Sequence, residues 1–405
     1  MEKRWTEFPR IGNRDYMKIA IDTNVISPHL APVALELVRQ GHSVIYVYHE
    51  KDVERCRTSA IASKVDAIAR FDPSYDEDTL RALLDADILI EAVRNFDLMR
   101  LRLRCGKVVY YTAERWFKPF RIDAPKNSER AKGVGVYVSG FLKMLFPFAI
   151  KRALAFMRMM RDGGPFYYLP IGVIAARDMA RMCGLMNGDI RCVFKSPRLS
   201  FESRPFGKIS AEDGNDKRYC LDKMRMWGYF VEPPKDEVKG KLNAGDLRKA
   251  RRILWVGRFL GWKKVDTLIK AVRGGVDLEL DIFGAGPDES RLKKLAAGCG
   301  NINFEGMKPL SEIRSQMRSH DIYVLSSNAF EGWGAVVNEA LEEGMKVVGT
   351  YEAGASATIL PPTNLFHAGD WKRLREMLQH PIVKVGILKW TAEEAARAVI
   401  GGVKI

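Results

Sequence analysis

Short apolar runs recur along this chain, separated by longer stretches whose apolar residues fall at helical spacing. A run of that length is a buried strand. An amphipathic stretch between two such runs is a helix laid over the sheet they build. Runs at 17–23, 43–48, 65–70, 86–91 and 107–111 form a first series, with a helix over 28–40 ended by Gly41. After Gly240 the pattern restarts, with runs at 252–257, 278–283, 302–304, 321–325 and 346–349. This alternation predicts parallel sheets covered by helices on both faces. The chain therefore reads as α/β, with two doubly wound Rossmann-like domains facing a cleft. Open sheets of this kind take ligands beyond the carboxyl ends of their strands.

Composition sets the limits. At 405 residues the chain is long enough for two domains. Hydrophobic residues at 47% and charged residues at 28% exclude a disordered, collagen-like or multi-spanning protein. No run of 18 apolar residues occurs, so no spanning helix is expected. Pro233-Pro234 and the polar run after them divide the two series. The expected organisation is an N-terminal extension (1–16), a first, acceptor-binding domain (17–234) and a linker (235–249), then a second, donor-binding domain (250–380). A last helical segment (381–405) is expected to cross back to the first domain. Six scattered cysteines, none in a metal-knuckle or redox pair, read as reduced thiols of a cytoplasmic protein. The six histidines lack ligand spacing, so no metal is expected. Asp85-Ala86-Asp87 has the Asp-x-Asp form of metal-dependent transferases, but it sits at a helix-to-strand step and reads as a solvated boundary.

The densest chemical signal lies between Trp255 and Thr350. Gly257-Arg258 ends a strand, and Lys263 and Lys264 follow a short turn. Cations at that place meet anions: arginine offers phosphate a fork of donors, lysine a point charge. Phe283-Gly284-Ala285-Gly286 joins a strand to a helix, where glycine lets the backbone approach a ligand. Glu331-Gly332-Trp333-Gly334 then precedes a helix over 335–343 that carries Glu339. Glycines at a helix start expose backbone N–H groups suited to phosphate. A carboxylate accepts hydrogen bonds from vicinal hydroxyls such as those of a ribose or hexose.

The order and spacing of these three elements resemble the retaining family-4 glycosyltransferases of the GT-B fold. There a Gly-Arg is followed by a Lys five residues after the Arg, then by a strand ending Phe-Gly-x-Gly, then by Glu-x7-Glu. Gly257-Arg258 with Lys263, Phe283 to Gly286, and Glu331 with Glu339 match this pattern, and Gly344, Val347-Val348 and Gly369-Asp370 continue it. The resemblance covers 252–379, about a third of the chain. It implies a nucleotide-sugar donor, with a UDP-sugar favoured, no further cofactor and no metal. It gives Arg258 and Lys263 the diphosphate, Glu331 the sugar ring and Glu339 the ribose. Gly332, Trp333 and Gly334 would supply backbone donors. Gly257, Gly284 and Gly286 would shape the site, and the loop with Met307 and Lys308 would lie near the base. Two departures stand out: Lys264 replaces a usual glycine, and 352–358 has one glycine where the family often has two.

In the first domain the family often has a histidine after a strand. Here the segment reads Tyr-Tyr-Thr-Ala-Glu-Arg-Trp-Phe, with Glu114 and Arg115 in that place. It is similar to a segment of some polysaccharide-assembly members, and it implies that Glu114 and Arg115 face a glycan or lipid-linked acceptor. The formal charge is +15, from 65 Lys and Arg against 50 Asp and Glu, which favours acidic partners. Residues 131–161 carry six basic residues, no acidic ones, and interleaved Phe, Leu and Met. Such a segment suits an anionic membrane surface, so peripheral attachment at the inner face is expected. No nucleic-acid module is visible, and no nucleic-acid partner is expected. The expected activity is retaining transfer of a sugar in surface polysaccharide or glycolipid synthesis. The alternatives are a GT-B nucleotide-sugar epimerase and an inactive nucleotide-sugar-binding relative.

Overall fold

A computed structural model describes residues 16–24, 27–49, 65–70, 75–114, 147–162, 164–193, 196–231, 251–275, 277–382 and 390–402. The described residues up to 114, those from 147 to 231 and those from 390 to 402 form one compact unit; those from 251 to 382 form another.

The first unit is built from β1 (Lys18–Thr23), α1 (Ala31–Arg39), β2 (Ser43–His49), β3 (Asp66–Arg70), α2 (Glu77–Asp85), β4 (Ile88–Glu91), α3 (Phe96–Arg104), β5 (Val108–Ala113), α4 (Pro147–Arg161), β6 (Phe166–Pro170) and α5 (Gly172–Met186). A short antiparallel hairpin follows, β7 (Leu199–Phe201) with β8 (Ile209–Ala211). Six strands pair in parallel in the order β3-β2-β1-β4-β5-β6. Helices cover both faces, so β4 and β6 are buried at every position. The sequence expectation missed β6, whose Phe-Tyr-Tyr-Leu-Pro reads equally as a short core segment.

One buried cation ties this unit together. The Arg102 guanidinium is fully buried and donates to the carbonyls of Leu83, Leu84, Ala86, Asp87 and Val108. It thereby closes the end of α2 onto the starts of β4 and β5. Burial pulls its pKa down to about 10. Arg102→Met should cost about 3 kcal/mol, because the helix-end carbonyls lose their donor in a dry place. Chemical denaturation followed by circular dichroism checks this, and an unchanged midpoint would contradict it.

The second unit runs β9 (Arg251–Val256), α6 (Val265–Val272), β10 (Leu278–Phe283), α7 (Glu289–Ala296), β11 (Ile302–Gly306), α8 (Leu310–Ser319), β12 (Ile322–Leu325), α9 (Val336–Glu342), β13 (Lys346–Thr350), α10 (Gly354–Ile359), β14 (Leu365–Phe366) and α11 (Trp371–Gln379). Its sheet order is β11-β10-β9-β12-β13-β14, again parallel, and repeats the order of the first unit. Its core gathers Ile253, Trp255, Leu268, Ile282, Val324 and Val348 between the sheet and α6, α7 and α11. The last helix, α12 (Ala392–Gly401), belongs to the first unit and packs on α1. There Trp390 donates from Nε1 to Ser203 Oγ at 3.0 Å.

Among the described residues, no helix is long and apolar enough to cross a membrane. Most of the basic segment 131–161 lies outside the described residues or has side chains that do. In its final part Phe156, Met157, Met159 and Met160 are buried, and Phe156 packs edge-on against Phe166 and Tyr168. These four apolar side chains are core, so they are not a membrane-facing stripe. Leu154, Arg158 and Arg161 are the exposed residues there.

Candidate functional site

In the second unit every donor-side residue named from the sequence sits at or beyond the carboxyl end of the sheet. A parallel sheet brings this about directly, since each strand delivers its following loop to the same edge. Gly257 and Arg258 follow β9, Gly284 and Gly286 follow β10, Met307 and Lys308 follow β11, and the 326–334 loop follows β12.

The first two loops lie against each other. Gly257 N–H donates to the Phe283 carbonyl, and Phe259 N–H to that of Ala285. Gly284 has a φ of +140°, and a Cβ placed on it would stand 1.9 Å from the Gly257 carbonyl oxygen. Gly286 is equally confined by the Phe259 backbone. These two glycines are required by the close approach of the β9 and β10 loops, whatever binds there. Arg258 is exposed, and among the described residues its guanidinium makes no hydrogen bond or ion pair.

Lys263 and Glu331 meet. The ammonium donates to Glu331 Oε2 at 2.5 Å, and Ser327 Oγ donates to the same oxygen at 2.7 Å. Glu331 is buried, and the Lys263 ammonium also stands 4.6 Å from the centre of the Trp262 ring. The surrounding chain fixes this pair: Ser326 Oγ donates to the Lys263 carbonyl, and Asn328 N–H to that of Trp262. Ser327 was not singled out from the sequence; a serine after a strand carries no signal until the tertiary fold sets it under a carboxylate.

Trp333 has its indole in the core, 1% exposed, donating to Asn338. Its side chain packs, and what the 332–334 loop offers a ligand is backbone. Gly354 lets α10 start against that loop, since a Cβ there would lie 2.2 Å from the Gly332 carbonyl oxygen. Glu339 lies in α9. Burial raises its carboxyl pKa, with Arg314 opposing the shift and Glu343 adding to it. Among the described residues its carboxylate accepts no hydrogen bond. Glu343, by contrast, is held by Arg314 at 2.5 Å and Arg318 at 2.9 Å, a pairing that ties α8 to the end of α9. Met307 is 78% exposed, and among the described residues Lys308 pairs only with Glu312, at 3.6 Å.

In the first unit the corresponding edge is also polar. Glu114, just past β5, accepts from the Tyr229 hydroxyl at 2.5 Å. The Tyr229 ring stacks on His29, 4.5 Å between centres and 13° from parallel. Burial drops the His29 pKa to about 4, so the imidazole is neutral, and its buried Nδ1 makes no hydrogen bond among the described residues. Asp22 and Glu91 are adjacent in register at the ends of β1 and β4, where the strand order reverses, and both are fully buried. His29, Tyr229 and Glu91 were not singled out as site residues, because 200 residues separate the first two and nothing local links them. Arg115 lies outside the described residues. Asp87, of the Asp-x-Asp step, accepts from the Lys18 backbone at 2.9 Å and closes a helix-to-strand turn.

Comparison with known proteins bears on the fold. Residues 242–380 fit the family model described as Glycosyl transferases group 1. Over 157 residues the chain is 29% identical to a GDP-mannose-dependent monoacylated alpha-(1-6)-phosphatidylinositol monomannoside mannosyltransferase of Corynebacterium glutamicum, covering 36% of this chain and 41% of that one. Over 127 residues it is 28% identical to the GtfA subunit of a UDP-N-acetylglucosamine–peptide N-acetylglucosaminyltransferase of Streptococcus pneumoniae, covering 30% of this chain and 24% of that one. The chain thus spans less than half of either relative's length. Among solved structures, Anabaena HepE in complex with UDP superposes with a TM-score of 0.54 at 10% identity, covering 96% of both chains. The lipopolysaccharide outer core galactosyltransferase WaaB superposes at 0.52 and 13% identity, over 96% of this chain and 95% of that one. The fold is GT-B, with two Rossmann-like domains.

Proposed function

We propose that the chain is a retaining glycosyltransferase that moves a sugar from a nucleoside-diphosphate donor to a glycan or lipid-linked acceptor. The observation that carries this is the convergence of Arg258, Lys263, Glu331 and Glu339 at one sheet edge, with Lys263 and Glu331 in direct contact. Transfer breaks the anomeric C–O bond, and negative charge grows on the departing diphosphate. Arg258 and Lys263 are the cations to meet it, with backbone N–H groups of 332–334 beside them. Glu331 accepts from hydroxyls of the sugar, and Ser327 holds it in place. Glu339 accepts from the ribose. Family-4 membership and retention follow the Glu-x7-Glu pattern, with no carboxylate assigned as a covalent nucleophile.

On the acceptor side Glu114, oriented by Tyr229, is proposed to bind an acceptor hydroxyl. A role in surface glycan or glycolipid assembly and attachment at the cytoplasmic membrane face are proposed from the net charge of +15 and from Lys132, Lys143, Lys151 and Arg152, which precede the core-packed end of the basic run. The two curated relatives name different bases, GDP for one and UDP for the other. UDP is the first choice here, and both enter the test. The protein is incubated with UDP-glucose, UDP-N-acetylglucosamine and GDP-mannose, with and without a lipid extract as acceptor, and the products are resolved by mass spectrometry. Release of UDP or GDP with a sugar-mass increment on an extract component supports transfer. Conversion of the donor to an isomer without acceptor would make the protein an epimerase and overturn the proposal.

A further inference from the structure

The first unit holds a cavity of about 580 Å3 away from the sheet edge that carries Glu114. It lies between the β7–β8 hairpin, the first halves of β5 and β6, and the end of α12. Tyr110 and Tyr167 are register partners on β5 and β6 and lie buried at its floor, the Tyr167 ring with Lys223 and Arg225 against it, so the half-buried Phe206 of the hairpin loop is the aromatic surface a ligand can meet. The volume is in the range of small-molecule sites.

Phe206 is the unusual residue. Its φ is +57°, a conformation that bulky side chains rarely adopt. The surroundings impose it. Phe206 N–H donates to the Met226 carbonyl, Met226 N–H donates to that of Gly207, and a Cβ on Gly207 would stand 2.1 Å from the Glu202 carbonyl oxygen. The ring is thereby set edge-on against Tyr110, 5.0 Å away, and against Trp227, 5.6 Å away. Gly402 at the end of α12 leaves room for it, since a Cβ there would lie 2.7 Å from the Tyr110 hydroxyl and 2.9 Å from the Phe206 ring. Strain of this kind persists where the fold holds a side chain in a chosen place.

The charged lining is balanced. Arg204, Lys208 and Arg225 face Glu202, Asp216 and Asp222. Arg225 lies 5.6 Å from the centre of the Tyr167 ring and donates to the Asp222 and Met224 carbonyls. Burial pushes the Tyr167 hydroxyl up to about 12, so it stays a neutral donor. Three cations against three carboxylates leave no net field to select an ion. They do leave donors and acceptors interleaved around the Phe206 ring. A pyranose has the complementary surface: an apolar C–H face, vicinal hydroxyls that both donate and accept, and no charge.

We infer that this cavity binds an uncharged saccharide unit, at a site separate from the one proposed for the donor. The inference rests on the cavity alone and stands or falls apart from the transferase reading. The test is saturation-transfer NMR on the full chain with maltose, lactose and cellobiose at millimolar concentration, in the presence of UDP and GDP to occupy any nucleotide site. The expected result is transfer to ring protons of at least one disaccharide, undiminished by equimolar inorganic phosphate. It should fall about fivefold or more in Phe206→Gly, as loss of an aromatic face implies. Glycine suits the backbone angle at that position. Lys208→Ala changes an exposed side chain, so it keeps the test decisive if Phe206→Gly fails to fold; it too should weaken the signal. No transfer with the wild type, equal transfer in the variants, or displacement by phosphate or by nucleotide would overturn the inference.

Discussion

Arg258→Ala should reduce sugar transfer by about 10²–10³ while leaving thermal stability unchanged, and Lys263→Ala should reduce both. The contrast follows from their surroundings. The Arg258 side chain is exposed and makes no ion pair among the described residues, so its removal leaves nothing unpaired. Lys263 neutralises a buried Glu331 at 2.5 Å. Without it that carboxylate keeps, among the described residues, only Ser327, and an uncompensated buried charge is costly. The double variant Lys263→Ala with Glu331→Gln separates the two effects. It should recover most of the lost stability and none of the transfer. Recovery of transfer in the double variant would mean that the lysine acts only by holding the loop.

Glu339→Gln should weaken nucleotide binding by about 10- to 100-fold, as expected when a charge-assisted pair of hydrogen bonds to vicinal hydroxyls is replaced by an amide. The same change should stabilise the unliganded protein at neutral pH. Burial raises the Glu339 pKa in the folded chain, so the ionised form is disfavoured there. The carboxyl's contribution to stability is fully present below the ordinary glutamate value and is lost as pH rises through the raised one. Glutamine never ionises, so the variant gains on the wild type as pH climbs through that window and the gap closes in acid. Nucleotide affinity of the wild type should fall in the same window as pH decreases, and that dependence should vanish in Glu339→Gln. Differential scanning fluorimetry and titration across pH read both. A stability gain bought with lost binding is the usual mark of a functional carboxylate.

Much of this was legible in the chain. Buried parallel strands announce themselves as short apolar runs, and both sheets appear close to where those runs lie. Gly284 and Gly286 were singled out as places where the backbone could approach a ligand; the structure shows them at the close approach of the β9 and β10 loops, a contact that no local pattern announces. The Lys263–Glu331 contact was not readable as a contact: 68 residues separate the partners, and only the arrival of β9 and β12 side by side joins them. Strand β6 and the β7–β8 hairpin escaped for a different reason. Their aromatic and polar residues have no clean period, and the hairpin is shaped by Phe206 and Gly207 rather than by alternation. Trp333 was named for its backbone N–H, and the indole itself packs inward against Asn338.

The measurement that bears most directly on the central claim is calorimetric titration of the full chain with UDP and GDP, repeated with Glu339→Gln and with Arg258→Ala. The account predicts saturable binding of one nucleoside diphosphate, weakened by both substitutions. Absence of binding by either nucleotide, or binding indifferent to both changes, would contradict it.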